Sequence, residues 1–146
     1  MKKTIIFLFA IGTLLTNAFA GDVPPMPKDL EKSFRENFPE AIQISWQKKD
    51  EVSIVDFRKD GVRHIAYFDV YSGFIGVLRY ITSDHMPVKT LNILKKKYGD
   101  LSKTRALEAF TADGETFYFI NIQHKGNVRT LKVYPDGGSE IMKNVF

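Results

Sequence analysis

VSIVDFRKDGVRHIAYF, residues 52–68, is the stretch on which the fold turns. Two runs rich in Val, Ile, Phe and Tyr flank Asp60-Gly61, a dipeptide typical of a two-residue hairpin turn. Such a turn fixes register, and register fixes which side chains share a face. Phe57 is expected opposite His64, Val55 opposite Ala66 and Ser53 opposite Phe68. A second two-residue turn at Lys49-Asp50 would set Trp46 against Ser53, Ile44 against Val55 and Ile42 against Phe57. Both turns give one apolar face: Ile42, Ile44, Trp46, Val55, Phe57, Ala66 and Phe68. The other face reads Gln43, Ser45, Asp56, Arg58, Arg63 and Tyr67, with Ile54 and Ile65 among them. The apolar face calls for a helix above it, which places Trp46 in a core rather than at a stacking site.

Outward from this hairpin the same punctuation occurs twice. Met26-Pro27 opens one segment and Met86-Pro87 another, 60 residues later. Turn signals follow at Lys49-Asp50, Asp60-Gly61 and Ser72-Gly73, then at Asp113-Gly114, Gly126-Asn127 and Asp136-Gly137. Matching turns lie 64 to 66 residues apart, which implies a slightly longer first strand or loop in the second half. Each half reads as one helix followed by four strands in hairpins. Pro27 and Pro87 suit a first helical position. Leu30, Phe34 and Phe38 form one apolar stripe that ends at Pro39; Val88, Leu91, Leu94 and Tyr98 form the other, closed by Gly99. The fold class expected is α+β, a tandem of two helix-plus-four-stranded antiparallel units, with half-repeats over residues 25–83 and 84–146.

In the second half, a Gly126-Asn127 turn pairs Ile122 with Leu131 and Ile120 with Val133, and an Asp113-Gly114 turn pairs Leu107 with Ile120 and Ala109 with Tyr118. These residues form the helix-side core. The opposite face then holds Phe110, Phe117, Phe119 and Tyr134 beside Glu108, Asn121, Gln123 and Lys132. Contiguous aromatics interleaved with polar groups on an accessible sheet face mark a contact surface. The alternative is that the half-sheets, or another chain, cover that face. Arg63, Tyr67, Phe117, Phe119, Asn121, Lys132 and Tyr134 are the candidate partner-binding residues.

Met1-Lys-Lys-Thr, the eleven apolar residues Ile5 to Leu15, and Ala18-Phe19-Ala20 have the form of a cleaved signal peptide over residues 1–20, leaving residues 21–146 as the exported chain. The apolar run is shorter than the ~20 residues that cross a bilayer. The expected location is periplasmic or secreted, with no stable membrane anchor. Two of the 21 basic residues, Lys2 and Lys3, lie in the leader, so 19 face 17 acidic ones, too even a balance to indicate nucleic acid. The absence of cysteine excludes disulfides, thiol catalysis and zinc–thiolate sites.

Phe38-Pro39-Glu40-Ala41, a strand ending in Trp46, Phe57 before Asp60-Gly61 and Tyr67-Phe68-Asp69 before Ser72-Gly73 together resemble the exported PepSY-like family, also called beta-lactamase-inhibitor-like. Met86-Pro87, Tyr98-Gly99 and Tyr134-Pro135-Asp136-Gly137 resemble its second half. The resemblance covers nearly all of the exported chain. It implies tandem helix-plus-sheet units with a concave sheet surface that could grip a partner. The beta-lactamase inhibitory protein is clamped by disulfides, which this chain cannot form, so neither inhibition nor any inhibitor contact residue is carried over.

Catalytic constellations are missing from the sequence. His64, His85 and His124 fall in no zinc pattern; His64, opposite Phe57, reads as a packing or switch residue, and His85 as a cap for the second helix. No G-x-S-x-G elbow and no phosphate-cradling glycine loop occur. Asp50, Asp60, Asp113 and Asp136 sit at turns, where Asp bonds to local backbone, and residues 136–140 lack the ligand spacing of a calcium loop. Lys95, Lys96 and Lys97 complement a helix C-terminus. The expectation is a non-enzymatic module without cofactor or metal that binds a protein or peptide, inhibitor-like binding being one form this could take. Two alternatives stand beside it: a small-ligand or hydrolase-like envelope protein with a pocket between the halves built from Asp56, Arg63 and Tyr67, and a structural homodimer.

Overall fold

The computed structural model describes residues 24–101, 104–124 and 126–142. The leader expected at residues 1–20 lies outside them. The elements run α1 (Lys28–Asn37), β1 (Ile42–Lys49), β2 (Val52–Lys59), β3 (Val62–Phe68), β4 (Phe74–Thr82), a 3-10 turn (Ser83–His85), α2 (Val88–Tyr98), β5 (Arg105–Thr111), β6 (Thr116–His124), β7 (Asn127–Val133) and β8 (Ser139–Ile141). The strands follow one another in chain order across one eight-stranded sheet, so the molecule is α+β. By internal contacts the chain divides into two compact units between Leu78 and Arg79, inside β4.

In the first unit, α1 lays Leu30 and Phe34 onto the sheet, both buried, with Phe38 half-buried at its end. Phe34 meets Phe57 edge-on at 5.0 Å and Phe68 at 6.3 Å; Phe38 lies 4.8 Å from Phe57 and 5.7 Å from Phe74. Tilted and edge-on pairs avoid the repulsion of stacked ring faces and add ~0.5–1.5 kcal/mol each to area burial. The Asp60-Gly61 turn gives the register expected: Phe57 faces His64, Val55 faces Ala66 and Ser53 faces Phe68. His64 stacks on Phe57 with ring centres 5.2 Å apart, a packing role.

Two expectations for β1 need correction. Lys49 pairs with Val52, so the turn residues are Asp50 and Glu51, with Asp50 at φ 53°, and Trp46 faces Val55 rather than Ser53. A slip of two keeps Trp46 on the helix face. Ile42, assigned to the core, is 59% exposed. The register breaks between Ile42 and Ser45, with Gln43 at φ 51°, and this bulge turns Ile42 out of the stripe.

The second unit corrects more. Thr111 N–H donates to Glu115 O and Gly114 N–H to Thr111 O, so three residues, 112–114, form the β5–β6 loop, with Gly114 at φ 84°. A type I turn closed by a left-handed glycine is the usual three-residue solution. One extra loop residue shifts β5 by one and exchanges its faces. Leu107 therefore pairs with Phe119 and Ala109 with Phe117, while Ala106, Glu108 and Phe110 face Ile120, Tyr118 and Thr116. On the next hairpin His124 pairs with Asn127, so Ile120 meets Leu131 and Tyr118 meets Val133, two residues from the expected register and on the same face.

Under α2 lie Met86, Leu94, Leu101, Ala106, Tyr118, Ile120, Ile122, Leu131 and Val133, with Tyr98 and Ile81 packed against them. Val88, placed in the stripe from its spacing, is exposed, and Thr90 takes its place, donating from its hydroxyl to Pro135 O at 2.6 Å. His85 does not cap α2, whose N-cap is Pro87 with no side-chain bond. Its Nδ1 lies 3.0 Å from the Thr82 hydroxyl and 3.3 Å from Asp84. A hydrogen bond from the Thr82 side chain to the Asp84 carboxyl is the chief cause that holds that carboxyl below its usual range.

Candidate binding site

The face of β6, β7 and β8 away from α2 gathers most of the residues singled out from sequence. Period-two alternation puts Phe117, Phe119, Asn121 and Gln123 there from β6, and Thr130 and Lys132 from β7. Phe119 pairs with Lys132, Asn121 with Thr130, and Lys132 on its other side with Glu140. Tyr134 follows at the start of the loop to β8.

Phe117 and Phe119 were expected to be accessible, and they are not: they are 1% and 4% exposed. The register exchange supplies the local reason, since Leu107 and Ala109 now flank them. The two rings meet edge-on at 5.5 Å, and the Lys132 ammonium lies over that of Phe117. Both sides of β6 are therefore core, as neighbouring Tyr118 and Ile120 are buried too.

Lys132 is the centre of the arrangement. It is 7% exposed, and its ammonium sits 4.4 Å from the Phe117 ring centre and 4.8 Å from that of Tyr134. Ring quadrupoles attract a cation, by ~2 kcal/mol or more where water is excluded. The Glu140 carboxylate lies 3.9 Å away and accepts the Tyr134 hydroxyl at 2.9 Å. Asn121 accepts from the Thr130 hydroxyl at 2.8 Å and is itself exposed. Gln123 and Val128 continue the exposed strip, and Tyr134 is 37% exposed.

Arg63 and Tyr67 belong to the first unit. Arg63 closes on Asp56, with Nε donating to both carboxylate oxygens at 3.2 and 2.9 Å. Tyr67 is fully buried between β2 and β4 in sheet order, beside Ile54 across the strand pair. Of the three residues expected to build a pocket, Asp56 and Arg63 pair with each other and Tyr67 is buried.

Features not anticipated from sequence lie elsewhere. Tyr71, at the β3–β4 turn, is 89% exposed. The Asp69 carboxylate accepts Tyr71 N–H at 3.0 Å and Gly73 N–H at 2.8 Å, which fixes that turn. Ser72-Gly73 signalled the turn, and a tyrosine at a turn tip has no strand face to hide it. A cleft of about 270 Å³ is lined by Pro24, Met26, Phe34, Ile44 and Trp46 with Glu31 and Arg35. Trp46 is half-buried there and donates its indole N–H to Pro24 O at 2.7 Å. Against the second unit's helix face, Arg79 binds Glu108 through Nε at 2.8 Å, and Glu108 faces Tyr118. Burial foremost, then the Glu108 charge and its hydrogen bond, pushes the Tyr118 phenol up, while Arg79 opposes.

No family model matches the chain, and no curated protein matches it. Solved structures do. A DUF2874 family protein from Bacteroides ovatus superposes with a TM-score of 0.69 at 17% identity, covering 83% of this chain and 89% of that one. A BLIP-like protein from Bacteroides fragilis gives 0.70 at 16% identity, covering 81% and 86%. A Bacteroides eggerthii protein, provisionally described as periplasmic, gives 0.69 at 14% identity, covering 82% and 91%. At these identities the likeness establishes a shared, BLIP-like fold.

Proposed function

We propose that this chain is an exported, non-catalytic binding module that takes a protein or peptide on the β6–β7–β8 face of its second unit. The observation that carries the proposal is the exposed rim around Lys132. Asn121, Gln123, Val128, Tyr134 and Glu140 stay accessible around an ammonium fixed between two rings. A rigid aromatic–cation core with a polar rim is the anatomy of a recognition surface. Export is supported by the leader read in the sequence and by the description of the B. eggerthii neighbour. The non-catalytic reading is supported by the BLIP-like neighbour and by the sequence's lack of catalytic patterns. On this reading the helix–four-strand order that occurs twice is a tandem repeat, as in the PepSY-like family.

The test is affinity capture from envelope extract with wild type and Asn121→Ala/Tyr134→Ala. Tyr134 also holds Lys132 and Glu140, so the melting temperature of the variant is the check on folding. A partner retained by wild type and lost by the variant supports the proposal. Identical capture by both, or no capture by either, overturns it.

A further inference from the structure

The Lys132 ammonium has three donors, and among the described residues it makes no hydrogen bond. Its nearest acceptor, Glu140 Oε1, is 3.9 Å off and already takes the Tyr134 hydroxyl. The residue is more than nine-tenths buried. A largely buried charge with open donors gains from a hydrogen-bonding partner, and ring faces attract it without accepting its protons at full strength. A second donor group stands near. Asn121 sits on the adjoining strand, one pair along from Phe119–Lys132. Its side-chain oxygen is taken by Thr130, which leaves the N–H2 of this exposed residue as its donor group.

Resting on the binding-module reading, we infer that Lys132 and Asn121 form a carboxylate-recognition subsite for an Asp or Glu side chain of an extended segment of the partner. Two considerations select this occupant. A carboxylate supplies both a hydrogen-bond acceptor and charge complementary to the ammonium, and charge-assisted bonds are about twice as strong as neutral ones. The exposed strip runs on from Asn121 to Gln123 and Val128 along the strands, so a chain lying on it presents a side chain, not a terminus, to Lys132. Glu140 flanks Lys132 on the β8 side, which directs the incoming carboxylate to the β6 side, where Asn121 stands.

The experiment uses the purified protein and two labelled ten-residue probes, alternating Thr-Glu and alternating Thr-Gln, read by fluorescence anisotropy. The Thr-Glu probe is expected to bind saturably, at least tenfold tighter than Thr-Gln, and less tightly as salt rises. Lys132→Met keeps an apolar stem over Phe117, so its melting temperature is the check on folding; Asn121→Ala is the second variant. Each is expected to bring Thr-Glu binding down to the Thr-Gln level. Equal binding of both probes, no saturable binding of Thr-Glu, or full binding by a folded Lys132→Met overturns the inference. Envelope capture separates this failure from failure of the binding reading: a partner lost on Asn121→Ala/Tyr134→Ala yet retained by Lys132→Met keeps the module and removes the carboxylate site.

Discussion

Replacing Phe117 by alanine is expected to destabilise the protein at least as much as replacing Ile120 by alanine, although the two side chains point to opposite faces of β6. Both are 1% exposed. Truncating a buried Ile costs ~2–5 kcal/mol and a buried Phe ~3–5 kcal/mol, by lost transfer energy and the cavity left behind. Phe117 also supplies the edge-on partner of Phe119 and a ring under the Lys132 ammonium. Those contacts are worth ~0.5–1.5 kcal/mol and ~2 kcal/mol respectively, and they share atoms with the burial term, so they add only in part. Against a whole-domain stability of ~5–15 kcal/mol, each variant should show a clearly lowered urea midpoint with little change in slope. Circular dichroism at 25 °C on wild type, Phe117→Ala, Phe119→Ala and Ile120→Ala makes the comparison. If both phenylalanine variants stay within ~0.5 kcal/mol of wild type, as surface changes do, while Ile120→Ala loses several, the second face is not core and Leu107 does not pair with Phe119.

Gly137→Ala should cost ~1–3 kcal/mol, because φ is 95° there and a Cβ would overlap Ile93 Cδ1; Ile93→Ala in the same chain should restore part of the loss in thermal melts. Tyr118→Phe should flatten the alkaline limb of stability. Folding raises this phenol above its ordinary ~10, so wild-type stability is full below about pH 10 and falls as pH climbs towards the folded value; urea midpoints from pH 8 to 12 that run parallel in both proteins would refute this. Ser83→Ala removes a buried hydroxyl that donates to Leu101 O and accepts Thr104 N–H at 3.2 Å. Thr104 N–H still donates to Leu101 O at 3.1 Å, so the loss should be that of a single hydrogen bond, ~0.5–1.5 kcal/mol, read as a lower denaturant midpoint.

Helices and hairpins were legible because they rest on local chemistry. Asp60-Gly61 gave its register outright, and the turns near Asp50 and before Asn127 were each displaced by one residue, which slips the pairing by two and leaves the faces intact. Asp113-Gly114 is the instructive case. The same Asp-Gly pair that fills a two-residue loop also ends a three-residue one, and the strands alone do not say which; the difference exchanged every side chain of β5. Glu108 consequently moved to the helix face beside Arg79, and Leu107 and Ala109 moved beside the phenylalanines. The Gln43 bulge that exposes Ile42 has no glycine to announce it. The candidate cluster was legible by composition, since Phe117, Phe119, Lys132 and Tyr134 lie in mutual contact. Its burial was not, because burial depends on pairings far apart in the chain.

The two outermost strands are guarded by different means. β8 has only three residues, too short a template for a stranger's backbone. β1 is eight residues long, but the bulge at Gln43 bends one end and Lys48 and Lys49 charge the other. Fibre growth by strand addition needs a long, straight, uncharged border on at least one side. Concentrated stocks of this protein should therefore stay clear of amyloid-type deposits, and a Lys48→Val/Lys49→Val chain is the variant that should begin to form them.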